Sequence, residues 1–259
     1  MKLFGRINLA GLATFCIFLL LWEGFARASP LLQLYFPPVS RILLSLCQLI
    51  FSWELVGHIV ATLGRFLRGY LLATLLAVTL GIVLGYFKLA YSLSESLIEF
   101  LRPMPSVAII PVAILFLGIG DAMMVAVTVY ACAWPILINT IAGVKNIDRT
   151  LINTARTFGL GRWKTLRKIV LPAASPYIVT GLRVSLAIAL ILVTTSEMVV
   201  GVSGLGFFIL DEERSLRTDN MYAGIFLVAL LGYSLNRLFL VLEKRAMAWH
   251  RRMTAGEQI

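Results

Sequence analysis

Glu197 is the acidic residue whose position most invites chemistry, because it lies near the end of an apolar stretch, 177–199. A carboxylate inside such a stretch is costly unless it is paired or hydrated. The glycine-rich turn Gly201–Gly206 (GVSGLG) follows, and glycine permits both a tight turn and a close backbone approach. Glu197 could border a gate, or it could cap the turn or pair with an arginine. We favour the second role for Glu197 and the gate for the turn, whose candidate residues are Gly204, Leu205 and Gly206.

The motifs that carry reaction chemistry are missing from the sequence. It contains no G-x-x-x-x-G-K-[ST] loop for ATP phosphates, no H-E-x-x-H zinc helix and no G-x-S-x-G nucleophile turn. Its two histidines are isolated, and its three cysteines are dispersed through apolar contexts without the spacing of a metal site. We therefore predict a protein that is not an enzyme, with no catalytic residue, no metal site and no cofactor bound by this chain.

The composition requires a membrane. Hydrophobic residues make up 59% of the 259 residues, charged residues only 14%, and the mean hydropathy is +0.90. These values are typical of an all-α polytopic membrane protein without a separate soluble domain. Stretches of suitable length predict about six transmembrane helices at 9–26, 66–87, 106–120, 123–143, 177–199 and 222–242.

The third span is short and rich in proline. It must extend into the segment before residue 106, so that Pro105 and Pro111 fall within or beside it. Each proline removes a hydrogen bond of the helix, so we expect an irregular start and a kink near Pro111. Irregular backbone in a bilayer is buried against protein or lines a cavity. Pro105 and Pro111 are therefore pathway candidates, the alternative being a kink needed only for packing.

The placement of positive charge orients the chain. The formal net charge is +10, and most lysines and arginines fall in alternate connections, which the positive-inside rule places in the cytoplasm with both termini. Topology thus explains the charge without nucleic acid. The N-terminal segment resembles a signal peptide, but Glu23 and Arg27 crowd the cleavage site, which favours an uncleaved first span. We expect Arg65 and Arg68 to anchor the second span at the outer interface by snorkelling.

Three units follow from this reading. Residues 1–57 form an N-terminal transmembrane helix with an extracytoplasmic connection, 58–245 form a five-span core containing a loop at 145–172, and 246–259 form a basic cytoplasmic tail. The loop holds a basic amphipathic segment, 153–172, between two apolar spans. Its pattern contains signals for two short helices.

The first loop helix has both end signals. Asp148 can accept hydrogen bonds from the free N–H groups of a helix start, and Gly159 can adopt the positive φ that closes a helix. A second helix is predicted from about Arg162 to Pro172, with Trp163, Leu166 and Val170 on one face. Such a compact, rigid segment is typical of a site that docks another protein. The alternative is a helix lying on anionic lipid headgroups.

The loop also resembles a known pattern. Permease subunits of bacterial ABC importers carry a loop that reads E-A-A, three residues, G, nine residues and I-x-L-P. Here Asn153, Thr154 and Ala155 stand at the E-A-A positions, Gly159 follows, and 169–172 reads I-V-L-P. Asn153 replaces the family's glutamate and brings no charge. The resemblance implies coupling to an ATPase through Asn153, Thr154, Ala155, Gly159, Trp163, Ile169, Leu171 and Pro172.

Further blocks extend the resemblance over about residues 15–245. The segments 102–106 (RPMPS) and 117–121 (LGIGD) are similar to the third core span of these permeases and the turn after it. The segment 195–198 (TSEM), with its turn, is similar to the nitrate, taurine and alkanesulfonate branch. This implies a type I, MetI-like permease fold with cytoplasmic coupling helices in the bacterial inner membrane. It also implies ABC ATPase subunits that bind ATP-Mg, an extracytoplasmic solute-binding protein and a second permease copy as partners, besides membrane lipids.

The resemblance leaves the solute open among nitrate, sulfonates or taurine, bicarbonate and a vitamin precursor, and it leaves homodimer and heterodimer open. The alternative function is an ion-coupled secondary carrier or channel that works alone. Such a carrier needs ionisable residues near the middle of the membrane. The acids of this chain stand mostly at the ends of spans, which favours the importer.

Overall fold

A computed structural model describes residues 9–51 and 53–247, and every regular element among them is helical. The predicted tail, including Arg251 and Arg252, lies outside the described residues except for Ala246 and Met247. The helices are α1 (Leu9–Arg27), α2 (Pro30–Tyr35), α3 (Val39–Ile50), α4 (Trp53–Tyr86), α5 (Lys88–Leu101), α6 (Ile110–Leu117), α7 (Asp121–Lys145), α8 (Arg149–Thr157), α9 (Arg162–Thr165), α10 (Leu171–Val200), α11 (Leu205–Arg214) and α12 (Thr218–Ala246). The all-α prediction is confirmed.

Five of the described helical stretches are long and apolar enough to cross a membrane, and a bent pair of helices can make a sixth span. The prediction of about six spans agrees with this count. The second span differs in length, because α4 begins at Trp53 rather than near residue 66. The predicted boundary between residues 57 and 58 consequently falls inside a continuous helix, which joins the N-terminal unit to the core.

The bent pair occupies the place of the predicted third span. Lys88–Leu101 and Ser106–Leu117 meet at an angle of 92° across a break at 102–105, and a 3₁₀ turn at Ser106–Ile109 leads into α6. The expected kink near Pro111 is wrong. Pro111 lies in the first turn of α6, where a backbone N–H has no partner within the helix, so this proline starts the helix without bending it.

Three long helices, α4, α7 and α10, form the centre of the bundle. Three glycines of α4 lie against α7, so closely that an added Cβ would come within 2.6–2.7 Å of an α7 side chain. The pairs are Gly69 with Thr128, Gly81 with Thr140, and Gly85 with Val144. The constant spacing of these pairs shows that α4 and α7 run parallel. Helix α10 runs antiparallel to both, with its Gly181 against the backbone of Pro135 and Ile136. These close approaches hold the helices that carry the polar residues described below.

The bundle has two ends. The starts of α4 and α7 meet the end of α10 at what we call the Glu197 end, where α1 also ends and α12 begins. Trp22 connects these last two elements, since its ring lies 6.0 Å from that of Tyr222. At the opposite end, the loop end, α7 leads into α8 and α9, and α12 finishes beside the start of α10. Lys145, the basic residues of α8 and α9, and Lys244 and Arg245 at the end of α12 lie at the loop end.

Candidate functional site

Glu197 is enclosed completely by polar partners. Its side chain is 0% exposed. The Thr62 hydroxyl lies 2.9 Å from Oε2 and 3.0 Å from Oε1, and Arg65 donates to Oε1 from Nη1 at 2.8 Å. The backbone N–H of Gly206 donates to Oε2 at 3.0 Å. Glu197 therefore both caps the turn after it and pairs with an arginine, the two alternatives expected from the sequence.

Arg65 is the centre of this arrangement. It is only 5% exposed, and its Nε donates to Asp121 Oδ1 at 2.7 Å. Its remaining nitrogens donate to the carbonyl and the hydroxyl of Ser203 at 2.7 and 2.8 Å. The expectation that Arg65 snorkels to the interface is wrong, because a buried guanidinium with two carboxylates needs no water. Arg68 is exposed and reaches the other oxygen of Asp121 at 2.7 Å.

The turn after Glu197 is held through the first N–H groups of α11. Such groups have no partner inside a helix. The N–H of Gly204 donates to His58 Nδ1 at 3.0 Å, and that of Leu205 donates to the Thr62 hydroxyl at 2.8 Å. Gly204 has a φ of +109°, and a Cβ there would overlap the Glu197 carboxyl group. Only glycine fits this position.

We call this assembly the Glu197 cluster; its members are His58, Thr62, Arg65, Asp121, Glu197, Ser203, Gly204, Leu205 and Gly206. Glu197 and the turn that contains Ser203 were predicted from the sequence, whereas the roles of His58, Thr62, Arg65 and Asp121 were not. One signal was present: His58, Thr62 and Arg65 are spaced four and three residues apart, which puts a polar stripe on one face of α4. Asp121 lies 56 residues from Arg65 in sequence and joins the cluster only through the packing of α7 on α4.

Pro105 and Pro111 do not belong to the Glu197 cluster. Pro105 precedes the 3₁₀ turn, and Leu101, just before the break, accepts a hydrogen bond from Tyr130 of α7 at 2.9 Å. Tyr130 is nine residues from Asp121, or about 14 Å along the helix. The two prolines therefore lie nearer mid-depth in the bundle, so the predicted gate residues form two separate groups.

The first loop helix forms as predicted. Asp148 Oδ1 accepts a hydrogen bond from the N–H of Thr150 at 2.8 Å, and this bond holds the pKa of the Asp148 carboxyl below its usual value. At the other end Gly159 has a φ of +65°. The N–H of Gly159 donates to Arg156, and that of Leu160 donates to Ala155 at 3.0 Å, which is a Schellman closure.

The second loop helix continues into the membrane, and its predicted end at Pro172 is wrong. Helix α9 passes through a π-helical turn, Leu166–Val170, directly into α10. Within that turn the N–H of Leu171 donates to the Leu166 carbonyl five residues earlier. A π turn is wider than an α turn, and Pro172 follows it in the first turn of α10, so its ring and missing N–H are accommodated without a break.

The predicted coupling residues divide into an outer and an inner set. Asn153, Thr154, Gly159 and Trp163 are exposed, whereas Ala155 is buried, and Ile169, Leu171 and Pro172 are half-buried. The predicted common face of Trp163, Leu166 and Val170 is wrong for Trp163, which is 72% exposed, while Val170 is buried. Phe158, beside Gly159, is 79% exposed. The loop thus presents two aromatic side chains away from the bundle.

Comparison with known proteins identifies the fold. The MetNI methionine ABC transporter in an inward-facing conformation matches with a TM-score of 0.66 at 19% identity, over 75% of this chain and 96% of the matched chain. A chain of a bacterial alginate ABC transporter, solved in complex with an alginate pentasaccharide-bound periplasmic protein, matches with a TM-score of 0.64 at 16% identity, over 95% and 98%. The predicted MetI-like permease fold is confirmed.

Sequence relatives agree. A putative ABC transporter permease protein of Methanocaldococcus jannaschii is 33% identical over 77% of this chain and 75% of its own length. The taurine transport system permease protein TauC of Escherichia coli is 28% identical over 92% and 89%. The bicarbonate transport system permease protein CmpB of Synechocystis is 32% identical over 88% and 84%. Residues 77–247 match the model of one protein family, the binding-protein-dependent transport system inner membrane components. The chain therefore belongs to this family of transport permeases.

Proposed function

We propose that this chain pairs with a second copy of itself to form the pathway of an ABC importer for a small anion in the bacterial cytoplasmic membrane. Relatives named for taurine and bicarbonate transport support the class of solute. The basic residues of the loop end support a cytoplasmic position for that end and for both termini. The Glu197 end then faces outward.

The exposed aromatic pair of the loop carries this proposal. Phe158 follows the capped helix α8, Trp163 lies in α9, and the two flank the Gly159 break of the folded loop. Aromatic residues are the usual anchors of protein interfaces. We place an ABC ATPase subunit, which would hold ATP-Mg, against this surface. Asn153 is exposed on the same element and offers a neutral hydrogen-bonding group.

The continuous course from α9 through α10 provides the mechanical connection. Residues Arg162–Val200 form one helical path of 39 residues, about 58 Å at 1.5 Å per residue. The loop stands at one end of this path, and Glu197 stands near the other. A displacement of the loop by the ATPases would therefore move the Glu197 cluster, and with it the turn before α11, as a rigid body. We place the outer gate at Gly204, Leu205 and Gly206.

The outer face offers a contact for a solute-binding protein. Leu216 connects α11 to α12 with a φ of +57°, which a leucine adopts only at a cost, and its side chain is 77% exposed. An exposed leucine in a constrained turn is suited to fill a pocket on a partner. We place the docking of the extracytoplasmic protein at this turn.

Two glycines of the loop allow a matched test of docking. Gly159 has a φ of +65°, whereas Gly161 has a φ of −65°, and an added Cβ meets no atom within 4 Å at either position. Gly159→Val should therefore distort the loop, while Gly161→Val should not. Each tagged variant would be purified in mild detergent with co-expressed ATPase, and the ATPase activity of the eluate measured. We expect loss of co-eluting activity for Gly159→Val alone.

The outcomes separate the importer from the alternative function. Equal recovery of ATPase by both variants contradicts docking through the loop. Solute uptake by the chain alone in proteoliposomes, without ATP, supports an autonomous carrier or channel. Asn153→Glu provides a finer test, because an exposed position that only faces the partner should accept the family's glutamate. Failure of that variant to assemble would show that the partner is adapted to the asparagine.

A further inference from the structure

Arg102 is an arginine near mid-depth with no acidic partner. It directly follows Leu101, which is level with Tyr130, about 14 Å from the Asp121 end of α7 and about 22 Å from the Lys145 end. Its guanidinium makes no ion pair or hydrogen bond with the described residues. A charged residue inside a bilayer is costly and commonly marks a solute pathway.

A cavity of about 380 Å³ lies beside Arg102. Ser106 contributes a hydroxyl to it, and Trp134 is part of its wall. Asn139 donates to the Pro135 carbonyl at 2.8 Å, and its other lining neighbours include Ile138 and Ile188. No acidic residue lines the cavity.

The contrast with Arg65 defines what this cavity can bind. Both carboxylates next to Arg65 neutralise it, whereas Arg102 keeps its full charge and its donors. A guanidinium binds oxyanions through two parallel hydrogen bonds. A cation and a hydroxyl, with no carboxylate, together select a small oxyanion over a cation or a neutral solute.

We propose that Arg102, Ser106 and Trp134 form the mid-membrane binding site for the transported oxyanion. The break at 102–105 supports this, because non-helical backbone at this depth must line a water-filled cavity or be covered by protein. The site deepens the proposed importer function and rests on it for the direction and energy source of transport. Binding of an anion at the site does not depend on the ATPase.

Iodide quenching of Trp134 fluorescence tests the site without the importer. The signal of Trp134 is the difference between the purified chain and its Trp134→Phe variant. Electrostatic attraction by Arg102 should make iodide at least about tenfold more effective than caesium as a quencher of this signal. Arg102→Gln, measured against its own Trp134→Phe variant, should abolish the preference. Equal quenching by the two ions, or a preference that survives Arg102→Gln, would overturn the proposal.

Arg183 provides the matched control. Arg183 and Arg102 are both exposed. Arg183 lies near the middle of α10 without a described partner, but it lines no described cavity. Gly181 and Ser185 face α7, so Arg183 between them lies on the opposite side of α10. Arg183→Gln removes the same charge and should leave the preference for iodide unchanged. Loss of the preference in this variant would mean that the general charge of the bundle attracts iodide.

Uptake by the assembled transporter is the second measurement. Proteoliposomes containing the permease and its ATPase, supplied with binding protein, would receive labelled nitrate, bicarbonate and taurine as probes. Arg102→Gln should lower uptake of the transported probe at least about tenfold, Arg102→Lys should restore part of it, and ATPase stimulation should persist. Unchanged uptake by Arg102→Gln contradicts the anion site but not the importer proposal. If the unaltered chain recruits no ATPase, the importer proposal fails, while the quenching result still decides whether the anion site exists.

Discussion

The Glu197 end and the loop end satisfy their polar groups in opposite ways. At the Glu197 end, charged side chains are buried and pair with residues from α4, α7 and the turn before α11. At the loop end, the hydrogen bonds that shape α8 join residues within a few positions of each other, and aromatic side chains remain exposed. At the Glu197 end the polar groups are satisfied across several elements. At the loop end they are satisfied within one short segment, which leaves Phe158 and Trp163 exposed.

This difference separates residues that maintain the fold from residues that affect only assembly. A substitution in the Glu197 cluster affects three elements at once, because Arg65 contacts Asp121, Glu197 and Ser203. A substitution on the exposed face of the loop should leave the fold intact and affect only assembly. Measuring stability and ATPase recruitment on the same variants therefore tests the comparison directly.

The largest effect is expected from Arg65→Met. Removing one partner of a buried ion pair costs about 3–5 kcal/mol, because Glu197 is left charged and unpaired. Arg68→Met is the control, since the exposed pair of Arg68 with Asp121 contributes about 0–1 kcal/mol. The measurement is the temperature at which half of the protein leaves the monodisperse peak in detergent. A similar small shift for both variants would show that Glu197 does not depend on Arg65.

A double variant sharpens this result. Replacing both Arg65 and Glu197 by apolar residues of similar size, Arg65→Met with Glu197→Leu, removes the uncompensated charge and should recover part of the lost stability. Asp121 would keep Arg68 as a partner. Additive losses in the double variant would contradict direct coupling between the two side chains.

A smaller effect is expected from adding one methyl group at each end. Gly204→Ala should lower stability by more than about 2 kcal/mol, since its Cβ would overlap the Glu197 carboxyl at a φ of +109°. Gly159→Ala meets no atom and carries only the cost of a positive φ, about 1 kcal/mol. The same melting measurement in detergent compares them. If Gly159→Ala were the more destabilising, the loop would be packed rather than open.

Removing the exposed aromatics should separate assembly from stability. Trp163→Ala and Phe158→Ala should change the stability of the isolated chain by less than about 0.5 kcal/mol, because both side chains are exposed. Each should weaken ATPase binding about tenfold or more, as expected for an aromatic anchor. Titrating the ATPase against immobilised permease measures the affinity. Unchanged affinity in both variants would mean that the ATPase contacts another surface.

The same contrast explains what could be predicted from the sequence. Asp148 and Gly159 act on neighbours within two or three residues, so the pattern around them contained the whole structure of α8. Arg65 was misplaced because its partners, Asp121 and Ser203, are 56 and 138 residues away. Neither the packing of α4 on α7 nor the path of the turn can be read from local spacing.

The prolines show a second limit. Pro111 and Pro172 were expected to kink or end helices, yet each lies in the first turn of one. A proline disrupts a helix only where the helix needs a backbone N–H at that position, or needs the space that the proline ring occupies. At Pro172 a π turn removes both needs, and at Pro111 the break has already occurred at 102–105. The family resemblance supplied the right region in both cases without the geometry of the backbone.

The smallest effect concerns the cap of α8. The hydrogen bond from Thr150 lowers the pKa of Asp148, so the folded loop favours the ionised carboxylate. The stabilisation is complete above the ordinary pKa of an aspartate, about 3.9, and is lost as the pH falls through the lower pKa of the folded state.

Asp148→Asn keeps an oxygen that can cap the helix but does not titrate. Comparing hydrogen exchange of residues 150–157 in the two proteins at each pH cancels the intrinsic pH dependence of exchange. Protection should diverge only in acid, with the asparagine variant the better protected, whereas equal protection down to about pH 2 would mean that α8 does not depend on this charge.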